Sequence, residues 1–435
     1  MHGVTFNCKT ITPMFLAGAD KERPELRAPS IKGAMRFWWR AVKGMDDISK
    51  LKEAESKIFG GTGEKEGRSK ITVRVMIDKF IGDNLEKDNE LKWKYNGDDT
   101  GIGYLLYSTM LPNRERSYIK DGFPFSVRLS CHDKDVQELR QAIASFWVLV
   151  YLGGLGNRSR RGGGNMVIPS YKVEGKIKGD LPDFVIGGGN SDKAAQWLRN
   201  NFQRCQEIIC PGGPKDFATK YSNLAFSRFI ICNEGKDSWQ DALNDIGKKF
   251  KDFREDHRHH IFETAVFGLP IGHRRMTVTC RVDRKGKDRR NSPLIIKTLK
   301  TNNGYYWLVL RLSGEFLPEG GVIYASPSKK RPDYTLIDEF WNRLKRVAGR
   351  ESILSRPEVI KKICKKIKER SSPSKIILFG SRARGDAHKT ADIDMAVENK
   401  DTAIYEDIYG PIDIVDMNRA PDSLKQRIVK EGVEL

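Results

Sequence analysis

Two carboxylates near the C-terminus have the spacing that metal-dependent phosphoryl transfer uses. Asp392 and Asp394 lie two residues apart in the apolar segment ADIDMAV, which is predicted to be a strand. Since side chains alternate between the two faces of a strand, both carboxylates are expected on one face. Carboxylates grouped in this way hold pairs of Mg²⁺ ions in phosphoryl-transfer enzymes. The spacing therefore predicts Asp392 and Asp394 as metal ligands.

A second candidate site is a glycine- and arginine-rich segment, residues 153–164, with the sequence GGLGNRSRRGGG. Glycine allows positive φ angles and a close approach to the backbone, and arginine offers a planar, permanently charged group that suits phosphate. The segment, with Arg158, Arg160 and Arg161, is therefore predicted to lie against a polyanion. The alternative interpretation is a tight connection in solvent.

A third candidate is a basic stripe on a helix predicted over residues 30–43, with Ser30 as its N-cap. Basic residues recur at helical spacing along one side: Lys32, Arg36, Arg40 and Lys43. Apolar residues occupy another side and are predicted to be buried: Ile31, Ala34, Trp38 and Val42. This pattern places Trp38 in the core, whereas Trp39 could either be buried or stack on a base.

The composition favours an anionic partner. The chain of 435 residues has 77 lysines and arginines against 57 aspartates and glutamates, which gives a net charge of +20, and 39% of its residues are hydrophobic. The hydrophobic fraction predicts folded domains, and the positive surplus favours nucleic acid. No apolar run approaches the roughly 18 residues that span a bilayer, and no signal-peptide pattern is present, so a cytoplasmic protein without a membrane partner is expected. The seven scattered cysteines argue against a zinc module.

The predicted strands and helices that must position these residues form two sets along the chain, with a similar order of elements in each. The first set comprises strands at 4–10, 70–77, 104–109, 124–130 and 166–169 with helices at 30–43 and 135–151. The second comprises strands at 226–232, 275–282, 289–297 and 305–312 with helices at 193–209, 238–253 and 335–348. The order β, α, β, β, α, β predicts an α+β protein whose two lobes are ferredoxin-like sheets backed by helices.

The pattern of charged and hydrophobic residues changes after the second lobe. Residues 350–356 are predicted to be a linker, residues 357–370 form a very basic helix, and short hydrophobic strands broken by carboxylates follow from 375. Three domains are therefore predicted: residues 1–175, 176–350, and a small α/β domain over 351–435.

Several segments together resemble a known family, over about residues 1–328. APSIKGAMRFWWRA, IFGG, LGGLGNRSRRGGG and RRNSPLIIK look like the first subunit of the Cmr effector complex, a RAMP-family protein of type III-B CRISPR assemblies. The resemblance implies two ferredoxin-like (RRM-like) lobes that bind guide and target RNA near the 3′ end of the guide and contact other Cmr subunits. It implies no nuclease activity. Its RNA-contacting candidates here are Lys32, Arg36, Arg40, Arg158, Arg160 and Arg161.

One alternative keeps catalysis in the lobes. Some RAMP proteins cut precursor RNA without a metal by using a histidine or another acid–base pair near the glycine-rich loop. His132 and His273 are the candidates, but general acid–base chemistry needs two groups in register, which the sequence does not provide. A guide-processing endonuclease therefore stays a secondary alternative.

The C-terminal segment KIILFGSRARGDAHKTADIDMAV, residues 375–397, resembles a minimal nucleotidyltransferase of the DNA polymerase β superfamily. The resemblance implies that Gly380 and Ser381 hold nucleotide phosphates through backbone N–H groups. It also implies a third carboxylate on a later strand, in the catalytic role, for which Asp413 is the first choice and Asp416 the second. Only about a dozen residues remain before that strand, so both an active Mg²⁺-dependent domain and a degenerate one stay open.

Overall fold

Strand β1, His2–Thr10, builds the centre of the first sheet, with Phe6 fully buried. The computed structural model describes residues 1–18, 23–64, 66–77, 100–109, 116–273, 276–281, 289–318, 320–370, 372–385, 387, 391–398 and 412–435. The sheet is completed by β2 Thr72–Met76, β3 Pro124–Cys131 and β4 Met166–Glu174. Its order is β2-β3-β1-β4, and every neighbouring pair is antiparallel.

Helices cover this sheet and carry the first basic stripe. They are α1 Ala28–Lys43, α2 Ile48–Phe59, α3 Thr100–Leu106 and α4 Val136–Tyr151. Helix α1 begins two residues before the predicted N-cap Ser30, because Pro29 in the first turn has the φ angle that a helix start requires. Trp38 is buried as predicted, and Trp39 is buried too, with its indole N–H donating to Gln141 Oε1 at 2.9 Å.

A second sheet repeats the strand order of the first. It contains β5 Asn223–Cys232, β8 Leu294–Thr301, β9 Gly304–Ser313 and β12 Gly349–Ser355, in the antiparallel order β12-β5-β9-β8. Helices α5 Ser191–Ile209, α6 Trp239–Asp256 and α7 Thr335–Val347 belong to this unit. A small sheet in the order β11-β10-β7-β6 consists of β6 Ile271–His273, β7 Met276–Arg281, β10 Val322–Ala325 and β11 Ser328–Lys330.

The third unit has a sheet in the order β15-β14-β13-β16, formed by β13 Lys375–Phe379, β14 Ile393–Glu398, β15 Ile412–Asp416 and β16 Val433–Glu434. Its helices are α8 Glu358–Arg370, α9 Gly380–Arg384 and α10 Asp422–Glu431. The first two units share one hydrophobic cluster, whereas α8 and this sheet form another that also takes in Phe217 and Phe226 of the second unit. Among the described helices, none is long and apolar enough to cross a membrane.

Two predicted elements are wrong. The strand predicted over 104–109 is the end of α3 followed by a 3₁₀ turn, Tyr107–Thr109, because α3 packs directly on α6. The linker predicted over 350–356 is instead strand β12, which pairs with β5 and completes the second sheet. The predicted domain boundary after Arg350 therefore falls inside a strand, and the second sheet continues to Ser355. The short segment predicted before the third carboxylate, 398–410, lies outside the described residues after Glu398.

Candidate nucleic-acid interface and carboxylate site

The basic stripe of α1 is partly neutralised by one buried carboxylate. Arg36 Nε and Arg40 NH1 both donate to Glu55 on α2, the latter at 2.5 Å, and Glu55 is only 3% exposed. Arg36 also donates to the Gly60 carbonyl at 3.1 Å. About a third of each arginine side chain still reaches solvent. Two positive groups and one negative group thus leave one net positive charge at this surface.

Lys32 lies at the start of the same stripe and forms no hydrogen bond or ion pair with another described residue. Burial lowers the pKa of Lys32, and the positive charge of Arg36 lowers it further. Both effects oppose protonation, so a bound anion at this position would be favoured. Lys43, the last residue of α1, differs because its Nζ donates to the Ile209 carbonyl at 3.2 Å.

The three arginines of the glycine-rich loop are anchored inside the protein. Arg158 Nε donates to Ser108 Oγ at 2.6 Å, and Arg160 NH1 donates to the Ser292 carbonyl at 2.5 Å. Arg161 donates to two further carbonyl groups, those of Leu294, at 3.2 Å, and Phe267. Burial lowers the pKa of Arg160 to about 10 and that of Arg161 to about 9. The loop therefore joins the first unit to strand β8 and its approach.

The glycines of this loop are needed for packing. Gly156 has a φ angle of 85°, and a Cβ there would overlap the Phe15 carbonyl. Gly164 has a φ angle of 64°, and a Cβ there would overlap the Leu155 carbonyl. Side chains at either position would strain the backbone and separate the loop from its neighbours. The glycine content thus has an internal structural cause beside the predicted contact with a polyanion.

Helix α1 and the loop, which are more than a hundred residues apart in sequence, meet at one cavity. Arg160 Cζ lies 5.3 Å from the centre of the Phe37 ring on α1. Both residues line a cavity of about 210 Å³ that is also lined by Trp38, Ser159 and Asn291. The cavity lies where both units contribute to the surface, because Asn291 comes from the approach to β8. Arg160 therefore lies against the side of α1 that carries Ala34, Phe37 and Trp38, and the stripe residues Lys32, Arg36 and Arg40 lie on another side of the helix.

Lys297 is a buried cation that the sequence interpretation missed. Its Nζ donates to the carbonyl groups of Val150, at 2.6 Å, and Gly153, at 3.0 Å, so β8 is tied to the end of α4. Burial lowers the pKa of Lys297 to about 7. The only sequence signal was a lysine inside the apolar run PLIIK, which is a position where a solvated lysine is unexpected.

The three predicted carboxylates of the third unit lie on, or directly before, two paired strands. Asp394 on β14 lies opposite Asp413 on the parallel strand β15, so these two share a face. Asp392 directly precedes β14 and is not part of the strand. Burial raises the pKa of Asp394, and the negative charges of Asp413 and Asp392 raise it further. Asp394 is therefore close enough to both of the other carboxylates to be repelled by them.

The predicted phosphate-binding turn is occupied by a side chain of the protein itself. Gly380, the first residue of α9, donates its backbone N–H to Glu431 Oε1 at 3.1 Å. Glu431 also accepts from Arg384 NH1 at 2.6 Å and from Arg427 Nε at 3.0 Å. Ser381, which follows in α9, accepts a hydrogen bond from the Gly385 N–H through its carbonyl. A carboxylate thus lies where a nucleotide phosphate is predicted.

The carboxylate chemistry suits Mg²⁺, which prefers oxygen ligands. Within the described part of the chain, however, no group of three or more histidine, cysteine, aspartate or glutamate side chains is arranged closely enough to hold a metal ion. The mutual repulsion at Asp394 fits a cation, whereas the present arrangement is not a completed metal site.

The third unit is fastened to the second through buried polar groups. Arg311 on β9 is 4% exposed; it donates to Asp338 Oδ1 at 2.5 Å and to the Arg384 carbonyl at the end of α9 at 2.6 Å. Arg382, also on α9, lies over the Phe217 ring at 4.9 Å. The turn that carries Gly380 therefore rests against the second sheet.

Comparisons with known proteins agree with this division of the chain. The RAMP superfamily model matches residues 7–167, and the polymerase beta nucleotidyltransferase model matches residues 361–435. The CRISPR system Cmr subunit Cmr1-1 of Pyrococcus furiosus is 32% identical over 277 residues, which are 61% of this chain and 76% of that protein. The Cmr1-2 subunit of the same organism is 34% identical over 188 residues, 39% of this chain and 96% of that protein.

Solved structures show the same relationship. The apo crystal structure of Cmr1 from Pyrococcus furiosus is similar with a TM-score of 0.54 and 26% identity, over 82% of this chain and 99% of that one. A chain of a type III-B Cmr-beta complex solved with cognate target RNA has the same fold at a TM-score of 0.50 and 14% identity, over 79% of this chain and 99% of that one. The chain therefore belongs to the Cmr1 family, the RAMP-superfamily subunits of type III-B CRISPR Cmr complexes, and it carries in addition a C-terminal domain of the polymerase beta nucleotidyltransferase type.

Proposed function

We propose that this chain binds guide and target RNA, near the 3′ end of the guide, as a non-nucleolytic subunit of a Cmr complex. The observation that carries the proposal is the contact between Arg160 of the glycine–arginine loop and Phe37 of α1, the helix that carries the basic stripe. Phosphate contacts need positive charge but no sequence code, and in a guided complex base pairing supplies the specificity. A net charge of +20 supports the same partner.

We also propose that the first two units are the ferredoxin-like lobes expected from the sequence. Numbering the four strands of each sheet by their order in the chain gives the spatial order 4-1-3-2 in both units, with antiparallel neighbours. That order is what two β-α-β repeats produce when they interlock in one sheet. RNA would then lie across the junction of two similar lobes.

The test of RNA binding uses Lys32→Ala in the full chain. For single-stranded RNA, each phosphate contact contributes about −0.7 to the slope of log affinity against log salt concentration. Loss of Lys32 should therefore reduce the magnitude of the slope by about 0.7 and weaken binding at low salt. The control is Lys57→Ala on α2, an exposed lysine that is already paired with Glu53.

The proposal fails if wild-type protein does not bind short single-stranded RNA, or if binding is insensitive to salt. Equal slopes for Lys32→Ala and the Lys57→Ala control would remove Lys32 from the interface. The same incubations in EDTA address the endonuclease alternative, and intact RNA after prolonged incubation is the expected result.

We propose nucleotidyl transfer by the third unit as a second candidate function, favoured by the pairing of Asp394 with Asp413. Asp392 and Asp394 would hold Mg²⁺, which would supply charge neutralisation to the phosphates, and Asp413 would take the catalytic role. Gly380 and Ser381 would hold the phosphates through backbone N–H groups once Glu431 releases them.

Glu431→Gln tests this second function through nucleotide binding alone. The neutral amide binds Arg384, Arg427 and the Gly380 N–H more weakly than a carboxylate does, so a triphosphate should displace it more easily. Calorimetric titration with nucleoside triphosphates and Mg²⁺ should show affinity rising about tenfold or more. Glu434→Gln, an exposed change on β16, is the matched control. Unchanged affinity in Glu431→Gln, or label transfer that survives Asp394→Asn, would refute the proposal.

A further inference from the structure

We infer that the cavity between α1, the glycine–arginine loop and the approach to β8 receives one unpaired nucleobase of the bound RNA. The inference rests on the proposed RNA binding and adds to it a site for a base. The cavity is lined by Phe37, Trp38, Ser159, Arg160 and Asn291, among others. Its two sides come from different units, so an RNA strand crossing the junction would pass over its mouth.

The walls offer the surfaces on which bases stack. The rings of Phe37 and Trp38 are 5.1 Å apart and nearly perpendicular, so they form a corner instead of filling the space between them. The Arg160 guanidinium lies over the Phe37 ring and is held there by its hydrogen bond to the Ser292 carbonyl. Aromatic rings and guanidinium planes are the groups that hold unstacked bases in RNA-binding proteins.

The polar groups of the cavity are available for a ligand. The Asn291 amide and the Ser159 hydroxyl form no hydrogen bond with any other residue that the structure describes. An amide offers both donors and an acceptor, so Asn291 can pair with the edge of a base. Apolar walls with a few unpaired polar groups are typical of a site that orients a planar heterocycle.

Size and charge select the ligand class. At about 210 Å³ the cavity is smaller than the roughly 300 Å³ at which pockets for drug-sized molecules begin. It can therefore take a single ring system, while the sugar and phosphates stay outside. Lys32, Arg36 and Arg40 lie on another side of the helix that carries Phe37, so an RNA backbone that continues beyond the cavity and around α1 would meet positive charge there. A base inside and a backbone outside is an arrangement that suits single-stranded RNA.

The experiment compares a short single-stranded RNA with the same chain built from abasic residues. Base stacking contributes about 1–3 kcal/mol per base, so wild-type full-length protein should bind the complete RNA roughly 5- to 140-fold more tightly. Ala34→Leu places a larger side chain into the cavity from α1. This variant should lose most of that preference, at least fivefold, and should bind the abasic RNA as wild type does.

The matched control is Gly33→Ala, the neighbouring position on α1, where a Cβ meets nothing within 4 Å. It should keep the wild-type preference. A second variant, Asn291→Ala, is exposed and should alter the relative affinities for the four homopolymers without changing abasic binding. If wild type binds both RNAs equally, or if both variants leave base discrimination intact, the base site is refuted while RNA binding stands. If wild type binds neither RNA, both proposals fail.

Discussion

Glu55 sets how much of the α1 charge is available to a ligand. One buried carboxylate accepts hydrogen bonds from two arginines, which are thereby held in fixed orientations along the helix. Fixed guanidinium groups lose less entropy when they bind phosphate than mobile ones do. The residue therefore has two opposed effects on RNA binding, since it orients the arginines and removes part of their charge.

The substitution Glu55→Gln distinguishes the effect of the Glu55 charge on RNA binding from its effect on the stability of the protein. The amide keeps the shape of the side chain but loses the charge, so protein stability should fall by about 1–3 kcal/mol, since hydrogen bonds to charged groups are worth this much. RNA affinity at low salt should rise because one negative charge is gone. Thermal unfolding and RNA titration measure the two quantities. The exposed Glu53→Gln on the same helix is the control and should change neither. A fall in both quantities would contradict the charge argument.

Lys297 predicts a specific pH dependence of stability. Its pKa is about 7 in the folded protein against 10.5 when it is exposed, so the unfolded chain binds more protons between these values. The penalty from this lysine is therefore full below pH 7 and disappears as the pH rises toward 10.5. Denaturant unfolding should therefore show that wild type gains stability relative to Lys297→Met as the pH rises over this range. A stability difference between Lys297→Met and wild type that does not change over this pH range would contradict the prediction.

At the scale of elements, the contact between α3 and α6 depends on two glycines. A Cβ on Gly247 would overlap the backbone of Gly101, and a Cβ on Gly101 would lie 2.6 Å from the Lys248 nitrogen. Gly247→Ala should therefore force the helices apart and lower stability by about 1–3 kcal/mol, measured by denaturant unfolding. Gly33→Ala, in open space on α1, should raise stability by up to about 1 kcal/mol. A stabilising effect at both positions would disprove the close contact.

Tertiary contacts such as this one also explain which elements could be predicted from the sequence and which could not. The apolar pattern predicted β1 and α1, which each have one mainly buried side, and it predicted α4 and most strands of the second sheet, whose side chains are largely buried. It failed for residues 104–109, where the local pattern fits a strand but packing on α6 selects a helix. It failed again at 350–356, because pairing with β5 over a hundred residues earlier makes that polar segment a strand.

The residue types of the candidate site could be predicted from the sequence, but the contacts of those residues could not. Arginine spacing and glycine content predicted contact with a polyanion, which stays a prediction, whereas the family resemblance is confirmed. Nothing in the sequence indicated that Arg160 and Arg161 donate to carbonyl groups of another unit, or that Glu431 accepts a hydrogen bond from the Gly380 N–H. These partners are brought together by the tertiary fold, and local patterns carry no signal for them.

At the scale of the molecule, the third unit is expected to unfold together with the second. Arg311→Met would leave Asp338 as a buried, uncompensated carboxylate and remove the bond to the Arg384 carbonyl, so stability should fall by about 3–5 kcal/mol. Calorimetry should show one transition for these two units, shifted to lower temperature in the variant. The exposed Arg343→Met, paired with Asp256, should leave the transition in place. A separate early transition for the third unit would contradict the shared packing.

The hydrophobic cluster under α8 has a consequence for the history of the gene. Phe217 and Phe226 belong to the second unit, yet their covering residues, such as Ile360 and Ile363, belong to the third. A deletion that removed the C-terminal segment would leave these rings uncovered, and exposed apolar patches promote aggregation. Once this packing had formed, the fusion could not be reversed by truncation alone. Descendants would have to keep the added segment, whether or not it catalyses a reaction, or first replace the aromatic residues beneath it.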